Sequence, residues 1–107
     1  MLYKNPEERK GGAAVEIEQI LDEITDICGK YNASKVILFG SRAKGTARDT
    51  SDIDIAVAGA ERFAELEEEI ENIPTLYTID LVNLDTCKNT LLLEDIEEYG
   101  RKILEKV

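Results

Sequence analysis

The stretch from Lys35 to Val57, KVILFGSRAKGTARDTSDIDIAV, constrains this chain more than any other. Val36-Ile37-Leu38-Phe39 is an all-apolar run of β-formers, short enough to be a strand buried on both faces and too short for a helix. Gly40-Ser41 breaks it with a turn. Ser41 is placed to cap a short helix that follows, and residues 45–51 have loop composition. From Asp52 to Val57 polar and apolar residues alternate. Asp52, Asp54 and Ala56 fall on one face, and Ile53, Ile55 and Val57 on the other, which is the period of a half-buried strand.

The rest of the chain supplies elements to pack around this pair of strands. Ile17, Ile20, Leu21, Ile24, Ile27 and Cys28 recur at helical spacing, predicting an amphipathic helix over 13–29, with Gly29 and Asn32 as stop signals. A short helix is expected over 41–47. Phe63, Leu66, Ile70 and Ile73 mark another over 60–73, closed by Pro74. Leu76 to Val82 reads as a third strand within 76–83, carrying one charge, Asp80. Leu92, Ile96, Tyr99, Ile103 and Val107 predict a final helix over 90–106, interrupted by Gly100. The expected architecture is α/β: strands near 35–39, 52–58 and 76–83 in a small sheet covered by helices. Residues 1–12 are expected to be a loose arm before a single domain spanning 13–107.

Charge and composition exclude several function classes. The 107 residues have a formal net charge of −10, which disfavours direct nucleic-acid binding, as does the scarcity of aromatic residues. The charge is uneven: Lys35, Arg42, Lys44 and Arg48 cluster against Asp49 alone, a basic island suited to a compact polyanion such as a nucleoside triphosphate. Six glutamates between Glu61 and Glu71 are most simply a solvated helix face. No apolar run approaches the roughly 20 residues needed to span a bilayer, and the polar start has no secretory h-region, so a cytoplasmic location is expected. Histidine is absent and Cys28 and Cys87 form no CxxC pair. A zinc site is thereby disfavoured, both thiols read as small apolar residues in a reducing compartment, and acid–base work falls to Asp, Glu, Lys or Tyr.

Asp52 and Asp54, at i and i+2 on a strand, point the same way. Two carboxylates so close raise one another's pKa unless a cation lies between them, and oxygen-only ligands select a hard ion, Mg²⁺ or Mn²⁺. Asp80, a charge inside an apolar strand, is costly unless it faces a cleft or a partner. Three strand-borne aspartates meeting at one cleft would suit metal-assisted phosphoryl or nucleotidyl transfer. Gly40 lets a phosphate approach the backbone, Ser41 offers a hydroxyl, and Arg42 and Lys44 add positive charge. GSRAKGT is not a Walker A loop, because Lys44 precedes Gly45, and Asp52-Ile53-Asp54 does not continue as an EF-hand, because Ala56 stands where the third ligand belongs.

Gly40-Ser41 followed by Asp52-x-Asp54 resembles the signature of the nucleotidyltransferase superfamily with the polymerase-β-like fold. The run LFGSRAKGTARDTSDIDIAV is similar to its minimal nucleotidyltransferase group. The resemblance implies a two-layer fold with a small mixed sheet. It implies that Gly40 and Ser41 hold the β- and γ-phosphates of ATP or another NTP, aided by Arg42 and Lys44. Asp52 and Asp54 would bind Mg²⁺, with two ions or Mn²⁺ also compatible, and Asp80 would complete the site or act as base toward an acceptor hydroxyl. Minimal members work beside a small all-helical HEPN-type partner, often as antitoxin to toxin. The implied reaction is therefore transfer of AMP to a hydroxyl of that partner. The alternative is a catalytically weak module of the same fold that neutralises a partner by contact alone. Tyr3, Tyr31, Tyr77 and Tyr99 are further hydroxyls, none singled out by the sequence.

Overall fold

The computed structural model describes residues 12–48 and 51–106. The expected arm over 1–12 lies outside them except for Gly12, the first residue of helix α1, Gly12–Lys30. The predicted stripe is the buried one: Ile17, Ile20, Leu21, Ile24 and Cys28 all lie in the core. Asn32 takes the left-handed conformation after the helix, at φ 62°, and Gly29 remains within it. Strand β1, Lys35–Phe39, leads to a single turn of helix, α2, Ser41–Lys44. Strand β2 is Ile53–Ala58, helix α3 Phe63–Glu71 and strand β3 Ile79–Asn83. Helix α4, Thr90–Tyr99, is followed by strand β4, Arg101–Glu105. Among the described residues no helix is long and apolar enough to cross a membrane.

The sheet order is β3-β2-β1-β4. β1 runs antiparallel to both β2 and β4, while β2 and β3 are parallel, so the sheet is mixed. Alternation along the strands divides its faces. Val36, Leu38, Ile53, Ile55 and Val57 face α1 and α3, joining Ile24, Leu66 and Ile70 in the main core. Ile37, Phe39 and Ala56 face the other way and form a smaller cluster with Ile96 of α4, flanked by Val82, Leu84 and Leu92.

One element departs from the sequence prediction. The helix expected over 90–106 ends at Tyr99, and its second half is the fourth strand of the sheet. Gly100 is extended, at φ −66° and ψ 145°, and its amide N–H donates to Ile96 O at 2.8 Å. A Cβ at this position would stand 2.3 Å from Ile96 O and 2.5 Å from Ile37 Cγ2, so a side chain there would prevent this close turn back to β1. The register shifts between Val36, opposite Leu104, and Ile37, opposite Lys102. That irregularity lets the consecutive residues Ile103 and Leu104 both pack against the main core. Smaller differences arise at element ends. Left-handed Gly45 and Arg62 bound α2 and α3, and pairing of β2 with the β3 segment begins where Ile53 N–H donates to Thr78 O, leaving Leu76 fully exposed.

Candidate active site

The sheet register brings the separated carboxylates together. Phe39 is opposite Asp54, and Asp54 is opposite Asp80 on the parallel neighbour. Asp54 and Asp80 thus share one level of the sheet, on the face that carries Ala56 and Phe39 and not on the face covered by α1 and α3. Asp52 precedes β2 by one residue and is exposed. The Asp54 carboxyl is held above its ordinary value of 3.8, first by burial, then by the negative charges of Asp80 and Asp52 and by a hydrogen bond with Asp80; the nearby Arg42 charge pulls the other way. Three carboxyls that perturb one titration occupy one neighbourhood.

Gly40 closes this cluster from the β1 side. Its φ of 75° and ψ of −154° lie in a region essentially restricted to glycine. A Cβ on it would stand 2.3 Å from Asp54 Oδ2. The turn and the carboxylate are therefore packed against each other, backbone to side chain. Gly40, not Ser41, is the N-cap of α2, and its carbonyl accepts from Ala43 N and Lys44 N. Ser41 is thereby relieved of the capping role expected for it. Because α2 is only four residues long, it adds little aligned dipole, and the close approach that Gly40 allows is taken by the Asp54 carboxylate.

The two cations near the turn are held by protein groups. Arg42 is half-buried. Its Nη2 donates to Ser51 O at 2.7 Å and to Arg48 O at 3.2 Å, and its guanidinium lies over the Tyr77 ring, 5.1 Å from the centroid. Lys44 pairs with Asp95 at 2.9 Å and lies over the Tyr99 ring at 5.0 Å, which raises its pKa, the Asp95 hydrogen bond contributing most. Tyr77, Asp95 and Tyr99 belong to the neighbourhood although the sequence reading gave them no part in it. Asp95 and Tyr99 are one helical turn apart on α4, a shared-face signal, but only the fold shows that the face meets α2. Beside Asp80, Thr75, Tyr77 and Thr78 line a recess of about 350 Å³ at the α3–β3 edge.

The donor set suits a hard divalent cation: it contains carboxylate oxygen, with no histidine in the chain and both cysteines outside it. Among the described residues no three His, Cys, Asp or Glu side chains form a group able to hold a metal ion.

Known proteins of this shape and sequence are consistent in kind. The family model "Polymerase beta, Nucleotidyltransferase" matches residues 22–107. A candidate protein adenylyltransferase of Methanocaldococcus jannaschii, MJ1215, is 37% identical over 73 residues, covering 63% of this chain and 84% of that protein. A second from the same organism, MJ1379, is 35% identical over 91 residues, covering 78% and 90%. A solved toxin–antitoxin structure with AMP-PNP superposes with a TM-score of 0.66 at 27% identity, covering 80% of this chain and 73% of its own. A mutant of the toxin–antitoxin MntA-HpeT, with two aspartates one residue apart changed to glutamate, gives 0.65 at 25%, with the same coverage. With the family model spanning most of its length and the carboxylates clustered at the glycine–serine turn, the chain belongs to the polymerase-β nucleotidyltransferase family.

Proposed function

We propose that this protein transfers AMP from ATP to a hydroxyl of a partner protein in a Mg²⁺-dependent reaction, and that in the cytoplasm it acts as the antitoxin to a small helical HEPN-type toxin. The observation that carries the reading is the packing of Asp54 against Gly40, with Asp80 beside it on the neighbouring strand and Asp52 close by. Gly40 and Ser41 take the terminal phosphates, with the charges of Arg42 and Lys44 on the same side. Asp52 and Asp54 hold the metal, with Asp80 completing its oxygen set or accepting the acceptor's proton. Bound there, Mg²⁺ neutralises the carboxylates and the charge that develops on the phosphates.

The acceptor oxygen forms a bond to the α-phosphorus as the bond from that phosphorus to the bridging oxygen breaks. Pyrophosphate leaves with the electron pair, and in the second of Asp80's two roles the hydroxyl proton passes to its carboxylate. The residues accelerate this step by alignment and charge placement.

Two features of the relatives support the physiological part. The M. jannaschii proteins carry an adenylyltransferase name, and the structural neighbours are toxin–antitoxin proteins, one with AMP-PNP. The aspartate-to-glutamate mutant also directs attention to a D-x-D pair. Neutralisation by contact alone would give no role to three mutually repelling carboxyls at a glycine turn. The test is incubation with α-labelled ATP, Mg²⁺ and the co-purifying or genetically adjacent partner. Label should enter a partner hydroxyl and be lost with Asp54→Asn. Equal labelling by wild type and Asp54→Asn would reject the assignment.

A further inference from the structure

Arg42 stands beside the turn expected to take the phosphates, and it engages the protein on two sides. One Nη2 bridges Ser51 O and Arg48 O, at 2.7 and 3.2 Å. Ser51 is the residue immediately before Asp52. The segment is tied a second time by its own ends: Ser51 N–H donates to Arg48 O at 3.0 Å, and Arg48 N–H donates to Ser51 Oγ at 2.9 Å. The other side of the guanidinium rests on the Tyr77 ring, three residues before Asp80. Directly after Tyr77, Thr78 O accepts from Ile53 N–H at 2.9 Å, the bond that starts the pairing of β2 with the β3 segment. A single planar cation therefore touches both segments that deliver the carboxylates, and its backbone follows Ser41 directly.

We propose that Arg42 is a positioning residue that sets the separation of Asp52, Asp54 and Asp80 by clamping the Ser51 end of one carboxylate segment over the Tyr77 end of the other. The proposal rests on the nucleotidyltransferase reading above and assigns Arg42 a role through the protein and not through direct grip on the phosphates. The clamp needs the guanidinium's shape. The face of the guanidinium lies over the Tyr77 ring while Nη2, at one end of its plane, reaches two carbonyls, and an ammonium has no such face to lay on the ring.

Shape and charge are separated by comparing Arg42→Lys with Arg42→Gln, using Mn²⁺ with AMP-PNP as the probe, titrated by calorimetry. Hydrogen exchange at the amides of Asp52, Ile53 and Asp54 provides a readout that needs no ligand. If Arg42 positions, both variants weaken Mn²⁺–AMP-PNP binding by about 10- to 100-fold, the range for supports behind metal ligands. Exchange then quickens at residues 52–54 and stays unchanged at Ile24 in α1. Tyr77→Leu, which leaves Arg42 in place and removes its platform, should give a smaller loss in the same direction. Wild-type binding retained by Arg42→Lys and lost by Arg42→Gln would overturn the clamp in favour of charge alone, as would unchanged exchange at 52–54. Failure of the wild-type protein to bind Mn²⁺–AMP-PNP would reject the nucleotidyltransferase reading itself, and the clamp with it.

Discussion

Replacing Gly40 with alanine should strike stability and the carboxylate cluster together. At φ 75° and ψ −154° the backbone occupies a region that a residue with a Cβ enters at a cost of order 1–3 kcal/mol. The new methyl would also stand 2.3 Å from Asp54 Oδ2 and 3.2 Å from Asp54 Cγ, the first closer than a real Cβ contact allows. Relief requires the carboxylate to swing away, and Asp80 and Asp52 already repel it there. Adding a moderate overpacking cost gives a total near 2–4 kcal/mol, or a fall in Tm of roughly 8–16 °C for a domain of this size. Gly29→Ala is the control. It lies within α1, a Cβ there would meet nothing within 4 Å, and alanine in a helix should stabilise by about 0.5–1 kcal/mol. Thermal melts followed by circular dichroism read both variants, and calorimetric titration with Mn²⁺ reads the cluster. A Gly40→Ala protein melting within about 2 °C of wild type, with Mn²⁺ affinity intact, would refute the packing of turn against carboxylate.

Asp54→Asn should raise Tm in metal-free buffer at neutral pH, because it removes a partly buried charge repelled by Asp80 and Asp52, while abolishing nucleotidyl transfer; a melt and a labelling assay on one preparation check both. Gly100→Ala should cost about 1–3 kcal/mol by overpacking, since its Cβ would meet Ile96 O and Ile37 Cγ2, and urea denaturation measures it; an unchanged midpoint would contradict the turn into β4. Burial pushes the Cys28 thiol up to about 11 from 9.0. In the folded protein it keeps its proton between those values while the unfolded chain loses one, so this group's contribution to stability is present below pH 9 and is lost between 9 and about 11. Cys28→Ala should flatten that part of the pH–stability curve, and a thiol reagent should modify partly exposed Cys87 at once and buried Cys28 only on unfolding.

How much of this was legible in the sequence depended on whether the signal was local. The D-x-D pair, its direction and the turn before it are encoded within a few residues, and the alternation of Ile53, Ile55 and Val57 with Asp54 and Ala56 placed the two faces correctly. Asp80 was recognisable as a misplaced charge, but its register opposite Asp54 comes from strand pairing across 25 intervening residues. β4 was hidden because Ile96, Tyr99 and Ile103 keep helical spacing through Gly100, and because the bulge makes Ile103 and Leu104 face inward together, spoiling the alternation that marks a strand. Arg42 and Lys44 were visible as charge near the turn. What they hold was not visible, since Ser51, Tyr77, Asp95 and Tyr99 reach them only through tertiary structure.

The period-2 geometry of β2 also explains how so small a domain can hold three like charges near one another. Ile53, Ile55 and Val57 are fully buried against α1 and α3, so the strand is anchored by burial on one face, at about 1.5–3 kcal/mol per side chain. Asp54 projects from the same backbone on the opposite face, beside Phe39, whose cluster with Ile37 and Ala56 packs on Ile96 of α4. Repulsion among the carboxyls therefore acts on a strand whose position is already fixed by other contacts, and it cannot be relieved by moving the backbone. The strain stays at the side chains, where the proposed cation would relieve it, and that relief would contribute to the cation's affinity. A strand held on both faces by polar contacts would instead yield to the repulsion. On the proposed Mg²⁺-dependent function, the apolar face of β2 would therefore bear on metal affinity as well as on folding, although its side chains point into the core.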